Sequence, residues 1–304
     1  MTEPKHIGIV GSGLMGTGIA EVVALAGLPV TLVKLTPGDP AAVRERIRGS
    51  MAARVAKGKL AAEAAEQALA LLTMASDVAA VATCDLVIEA IVEDLAAKRE
   101  LFARLHGLLR PDAILASNTS TLKIADLAAD LRPLRTLGLH FFSPVPAMNL
   151  VEIAHLPDTD PDALAACEAF VARLGKTAVP VLDSTGFVVN RLLVPMLLGA
   201  IAAYEQGLAS AEHIDTAMRL GCGHPMGPLA LSDLIGLDVV YAMAKLLYKE
   251  FGDDRYRAPA LLRRLVQAGQ LGKKSGMGLY DYGSKPPRAN RAALAPIERA
   301  PKAA

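Results

Sequence analysis

Tryptophan is absent from the 304 residues, phenylalanine and tyrosine number six each, and cysteine occurs three times. Cys84, Cys167 and Cys222 lie too far apart for paired metal-ligand spacing or a disulfide framework, so no metal site and a reduced thiol set are expected. Excess charge of either sign is missing as well. The 32 basic and 31 acidic residues leave a net charge of +1, which argues against nucleic acid or a membrane surface as the main partner. Long apolar runs are lacking: the longest, 192–204, contains Pro195 and is too short to span a bilayer. Glu3 stands almost directly before the first apolar strand, where a signal peptide would need its hydrophobic region. These absences lead to the expectation of a cytoplasmic globular protein. The 52% hydrophobic content suffices for a sizeable core, and the length for about two domains.

The opening of the chain is its most informative stretch. Ile7-Gly8-Ile9-Val10 reads as a buried parallel strand and runs into Gly11-Ser12-Gly13-Leu14-Met15-Gly16. A helix follows over 15–26, and Val30 to Val33 makes a second strand, completing a βαβ unit. In such a turn the first glycine permits the tight exit from the strand. The second lets backbone approach a pyrophosphate, and the third lets helix and sheet pack closely. The helix N-terminus offers unpaired N–H groups to the phosphates. Gly11, Gly13, Leu14, Met15 and Gly16 are therefore expected to bind a nicotinamide dinucleotide. An acidic residue normally ends the second strand and accepts hydrogen bonds from the ribose of NAD. Lys34 stands there instead, followed by Leu35 and Thr36. An ammonium only donates, so Lys34 leaves the cofactor open between NAD and NADP.

Further apolar strands are expected at 86–89, 113–117, 136–139, 151–153 and 177–182, with helices at 94–109 and 161–174 and two helices within 40–72. From Phe187 the pattern turns helical, over 187–206, 211–219, 227–235, 237–251 and 259–268. The expected fold is α/β: a Rossmann-type doubly wound sheet domain over 1–184 with a helical insertion at 40–72. An all-helical substrate or dimerisation domain over 185–283 follows it. The tail, 284–304, is rich in Pro, Ala, Lys and Arg and is expected to be disordered.

Four further segments carry chemistry: Ala116-Ser117-Asn118-Thr119-Ser120, Gly138-Leu139-His140-Phe141-Phe142-Ser143-Pro144, Leu150-Val151-Glu152, and Gly186-Phe187-Val188-Val189-Asn190-Arg191. Oxidising a secondary alcohol needs a base for the hydroxyl proton, and histidine suits it because it titrates near neutral pH. His140 follows a strand end, where ligands gather in doubly wound sheets. A carboxylate on the far ring nitrogen would fix the tautomer, and Glu152, twelve residues on, is the candidate.

Together with the glycine turn, these segments resemble the L-3-hydroxyacyl-CoA dehydrogenase family, in particular its short 3-hydroxybutyryl-CoA type. So do Gly221-Cys222-Gly223-His224-Pro225-Met226-Gly227-Pro228 and Gly272-Lys273-Lys274-Ser275-Gly276, and the likeness runs from about Lys5 to Tyr282. The resemblance implies that His140 and Glu152 are the catalytic pair, and that Ser120 and Asn190 hydrogen-bond the substrate's 3-oxygen. It also implies that Glu93, Lys98, Asn118 and Lys274 lie toward the cofactor. Ser50, Lys57 and Lys59 fall in the segment where the family binds coenzyme A. Ser143 stands where the family usually has asparagine at the nicotinamide carboxamide. The implied activity is interconversion of short-chain (S)-3-hydroxyacyl-CoA and 3-oxoacyl-CoA with NAD or NADP. A homodimer is expected separately, because the faces of the helical domain read more apolar than one small bundle can bury. The same chemistry on an acyl-carrier-protein substrate, and a non-catalytic dinucleotide-binding paralogue, are the alternatives.

Overall fold

Four-residue apolar runs build four strands of the sheet, at 7–10, 30–33, 86–89 and 114–117, and alternation along each run gives them two buried faces. In the computed structural model, which describes residues 3–129, 131 and 135–294, the chain divides into two compact units, 1–187 and 188–304. The first holds β1 (Ile7–Val10), α1 (Leu14–Leu25), β2 (Val30–Val33), α2 (Ala41–Ala56), α3 (Ala62–Ala70), β3 (Leu72–Ala75), β4 (Leu86–Glu89), α4 (Leu95–Leu108), β5 (Ile114–Ser117), α5 (Ile124–Leu127), β6 (Thr136–Phe141), β7 (Leu150–His155), α6 (Pro161–Arg173) and β8 (Thr177–Leu182).

The strands lie in the order β3-β2-β1-β4-β5-β6-β7-β8. All neighbouring pairs are parallel except β6 with β7, which is antiparallel. The first six strands have the doubly wound order, and the chain reverses its direction of travel across the sheet at β1 and β4. Ile7 and Ile9 face a core shared with Ile19 and Val23 of α1 and Phe170 of α6. Val10, Val33 and Val87 face the opposite core, with Phe102 and Leu105 of α4. That alternation is the period of two expected of a strand buried on both sides. The sequence pattern missed β3. It is an edge strand of which only Leu72 is buried, so its Leu-Thr-Met-Ala run carries no continuous apolar signal.

The second unit holds α7 (Val189–Glu205), α8 (Ala211–Gly221), α9 (Pro228–Ile235), α10 (Leu237–Phe251), α11 (Ala260–Gln267), β9 (Tyr280–Asp281) and β10 (Arg288–Ala289). Its core gathers Leu197, Ile201, Leu229, Leu247 and Leu261. Two buried carboxylates tie its ends together. Asp215 accepts from Leu229 N at 2.8 Å and Ala230 N at 2.9 Å, at the start of α9, and from the Tyr280 hydroxyl at 2.8 Å. Asp233 accepts from Leu279 N at 2.9 Å and Tyr280 N at 2.8 Å. Burial still pushes the Asp233 carboxyl up to about 6. Gly272 is glycine for a packing reason: a Cβ there would lie 2.4 Å from the Asp233 carbonyl oxygen.

The tail expected to be disordered from 284 is instead described as far as Leu294. Arg288–Ala289 pair antiparallel with Tyr280–Asp281, and Asn290 Nδ2 donates to Gly278 O at 2.8 Å. Composition hides this because two backbone pairings and one side-chain amide fix the segment. Residues 295–304 lie outside the described residues. Among the described residues no helix is long and apolar enough to cross a membrane.

Candidate active site

Backbone proximity explains the glycine turn. Gly11 has φ +116°, and a Cβ on it would meet the Ala90 carbonyl oxygen at 2.4 Å, where the chain leaves β4. A Cβ on Gly16 would fall 1.8 Å from the Gly11 carbonyl oxygen. Gly13, the N-cap of α1, has nothing within 4 Å of the place its Cβ would occupy. Two positions thus have no room for a side chain while the third opens a backbone cradle at a helix start, outside the carboxyl ends of β1 and β4. That is the shape a pyrophosphate needs, so the residues present fit a dinucleotide. Leu14 is exposed beside the turn, and Met15 is half-buried against the core. Lys34, just past β2, folds back on its own loop. Its ammonium donates to the carbonyls of Thr36 and Pro37 and lies 3.0 Å from the Thr36 hydroxyl.

At the carboxyl ends of β4 and β5 stands a buried network that sequence reasoning found only in part. Glu89, the last residue of β4, and Lys98 of α4 are 0% and 1% exposed. Lys98 Nζ lies 2.7 Å and 2.9 Å from the two Glu89 carboxylate oxygens and 3.3 Å from Glu93 Oε2. Glu89 also accepts from the Ser117 hydroxyl and from Ile91 N, both at 2.6 Å. Glu93 in turn gathers the loop after β5. Its Oε1 accepts from the Thr119 hydroxyl at 2.7 Å, Ser120 N at 2.9 Å, and Thr121 N and hydroxyl at 3.1 and 3.0 Å. The Ser120 hydroxyl is 3.3 Å away. Burial works to raise the Glu93 carboxyl, but the Lys98 charge and the donors of 119–121 outweigh it and hold it below the usual carboxylate range. The signal for Glu89 was in the sequence: a carboxylate closing an apolar strand, Leu86-Val87-Ile88-Glu89, needs a buried partner.

His140 and Glu152 meet because β6 and β7 run antiparallel, with these two residues directly opposite in the register. His140 Nδ1 lies 2.8 Å from Glu152 Oε2, and the residues are 5% and 1% exposed. An ionised carboxylate only accepts, so Nδ1 carries the proton and Nε2 keeps its lone pair. The imidazole packs 4.3 Å from the Phe142 ring and 5.7 Å from that of Phe187, centroid to centroid. The connection between the strands is braced from both sides. Lys176 Nζ donates to Val145 O at 2.7 Å and Met148 O at 2.6 Å, and buried Val145 packs over Gly18 of α1. Asn118 pins the neighbouring strand end, its Oδ1 accepting from Phe141 N at 2.9 Å.

The remaining expected residues fall elsewhere. Ser143 is exposed in the β6–β7 connection, before a cis Pro144. Ser50, on α2, donates to Glu21 Oε2 of α1 at 2.7 Å, beside Arg54, which bonds Glu21 Oε1 at 2.7 Å. Lys57 and Lys59 are exposed just past α2. In the helical unit, Asn190 is buried in the first turn of α7. Lys274 pairs with Asp238, 2.6 Å from its Oδ1.

Comparison with known proteins follows the same division. Residues 6–184 match the 3-hydroxyacyl-CoA dehydrogenase NAD-binding domain, and residues 186–282 match the C-terminal domain of that family. A 3-hydroxybutyryl-CoA dehydrogenase of Mycobacterium tuberculosis is 48% identical over 281 residues, covering 91% of this chain and 98% of that one. The human mitochondrial hydroxyacyl-coenzyme A dehydrogenase is 43% identical over 287 residues, 91% of each chain. The crystal structure of a (S)-3-hydroxybutyryl-CoA dehydrogenase from Ralstonia eutropha superposes with a TM-score of 0.89 at 41% identity, covering 93% of this chain and all of that one. The match takes in both the strand order that shapes the crevice and the helical unit, and it extends over nine-tenths or more of each relative. The chain belongs to the 3-hydroxyacyl-CoA dehydrogenase family.

Proposed function

We propose that the chain interconverts short-chain (S)-3-hydroxyacyl-CoA and 3-oxoacyl-CoA with NAD or NADP. The observation that carries this is the buried His140–Glu152 pair, 2.8 Å apart at the end of β6, with β4 and β5 between it and the strand that leads into the dinucleotide turn. A nicotinamide dinucleotide held at that turn supplies the acceptor for hydride from carbon 3. His140 Nε2 takes the proton of the 3-hydroxyl, and Glu152 steadies the imidazolium that results. In the reverse direction the same nitrogen returns the proton to the 3-oxygen. The Ser120 hydroxyl donates a hydrogen bond to that oxygen, and Glu93 sets the loop from which it does so. The parts proposed for Asn190 and Lys274 rest on family resemblance. Ser50, Lys57 and Lys59 are proposed to face coenzyme A, the two lysines as point charges for its phosphates. A carrier-protein substrate or a non-catalytic role has less support, because the close relatives are named for CoA thioesters and the histidine–carboxylate pair is intact.

Acetoacetyl-CoA should be reduced with stoichiometric oxidation of NADH or NADPH, at a kcat in the ordinary enzymatic range of about 1–10³ s⁻¹. Absorbance at the nicotinamide band reads the rate directly. No reduction with either nucleotide would overturn the proposal.

A cytoplasmic homodimer joined through the helical unit completes the proposal. Leu192 and Leu234 of that unit are 68% and 50% exposed, an apolar surface suited to a second copy. Free, buried Cys84 and Cys167, their thiols pushed up to about 12 by burial, suit a reducing compartment. Light scattering at micromolar concentration should give twice the chain mass, and a monomer there would contradict the dimer.

A further inference from the structure

The carboxyl end of β2 presents cations where the adenosine ribose of a dinucleotide lies in doubly wound folds. Gly11 N donates to Val33 O at 3.0 Å, so the phosphate turn and the residue after β2 are neighbours. At this place a carboxylate accepts the ribose hydroxyls of NAD, whereas a nearby arginine accommodates the 2′-phosphate of NADP. Lys34, Leu35 and Thr36 supply no carboxylate. The Lys34 ammonium is pinned at the rim by the Thr36 and Pro37 carbonyls, which fixes a positive charge there. A second cation arrives from α2. The Arg46 guanidinium donates to Ser12 O at 2.8 Å, inside the glycine turn itself. That bond uses one of the five donors of the fork and holds the guanidinium at the turn.

Nearby carboxylates are directed to other partners. Glu45 lies 3.4 Å from Arg48 and Asp39 accepts from Ala41 N at 2.8 Å, while Glu21 is held by Ser50 and Arg54. Two separate elements thus each bring a cation to the neighbourhood of the turn, Lys34 after β2 and Arg46 from α2, with the Thr36 hydroxyl between them in sequence.

We infer that this rim is an adenosine 2′-phosphate site, and that the chain selects the phosphorylated dinucleotide. Arg46 provides the fork, Lys34 a fixed charge and Thr36 a hydroxyl donor. The inference rests on the dinucleotide-binding reading of the glycine turn, and binding measurements separate the two. NADPH should bind about tenfold or more tightly than NADH at low salt, as a charge-assisted contact from the Arg46 fork beside the fixed Lys34 charge requires. In calorimetry 2′,5′-ADP should outbind 5′-AMP, and its advantage should shrink as salt rises. Arg46→Met should close most of the gap between NADPH and NADH, and Lys34→Asp should reverse the preference. Equal or tighter binding of NADH by the unaltered protein overturns the 2′-phosphate site while leaving the dinucleotide turn standing. So does an unchanged NADPH-to-NADH ratio in Arg46→Met. Binding of neither nucleotide overturns both.

Discussion

His140→Gln should reduce kcat for acetoacetyl-CoA reduction by about 10²–10⁴-fold, the usual contribution of a positioned acid or base, while dinucleotide affinity stays close to that of the unaltered protein. Glutamine can still donate an N–H toward Glu152 Oε2, now 2.8 Å from the ring nitrogen, so the cross-strand contact and much of the local packing survive. What glutamine cannot do is take up or release a proton near neutral pH. The loss should therefore fall on the chemical step, in kcat and kcat/KM alike, as expected when an interaction is made only in the transition state. The split matters because His140 is also packed between the Phe142 and Phe187 rings. If the residue served packing alone, the variant would lose stability and keep turnover per folded molecule. Rates normalised to folded protein by circular dichroism, with NADH and NADPH affinity read by fluorescence, distinguish the two. Turnover above about a tenth of normal would remove His140 from the proton transfer, since even a weak general base contributes more than that.

The sequence showed both members of this pair and pointed to their meeting, but not to the strand geometry that brings it about. His140 and Glu152 are twelve residues apart, and only the antiparallel turn between β6 and β7 sets them opposite one another. A doubly wound pattern leads one to expect parallel neighbours joined by helices, and the short connection containing Pro144 and Pro146 was the available sign of a hairpin. The glycine turn was legible for the reason that makes it work: only glycine fits where backbone passes within 3 Å of a Cβ position, at Gly11 and Gly16. Lys34 was legible as a departure but not in its contacts, because a side chain that folds onto its own loop leaves no periodic trace. Arg46 was invisible, being one of several cations on an exposed helix until the fold carries it to Ser12. Glu93 and Lys98 were assigned by resemblance to the cofactor. Their geometry adds Glu89 beneath them and makes the three one unit, which periodicity alone does not reveal: a buried lysine and a solvated one occupy the same helical sequence pattern.

That unit leads to the second large effect. Lys98→Met should destabilise the α/β unit by about 3–5 kcal/mol, the usual cost of leaving a buried charge without its partner. Glu89 would keep the Ser117 hydroxyl and Ile91 N–H, each at 2.6 Å, but lose a cation 2.7 Å away in a place with no access to water. The double variant Glu89→Met/Lys98→Met removes both charges and should recover much of that stability, since well-packed apolar pairs commonly match buried ion pairs. The two variants should nonetheless share one defect. Without Lys98, Glu93 loses the cation 3.3 Å from its Oε2 that helps hold it ionised, and with it the grip on Thr119, Ser120 and Thr121. The double variant should therefore regain its urea midpoint but keep a raised KM, with the rate recovering only above the pH at which Glu93 ionises. The sign follows from the carboxyl being held low in the native protein: its hold on the loop is present above its titration and fades as pH falls through it, and removing Lys98 moves that window upward. If the double variant recovered stability and KM together, Lys98 would act on folding alone and Glu93 would order the loop without it. A Lys98→Met protein as stable as the parent would show that the Glu89 carboxylate is satisfied by its hydrogen bonds, and that the ion pair adds nothing to the fold.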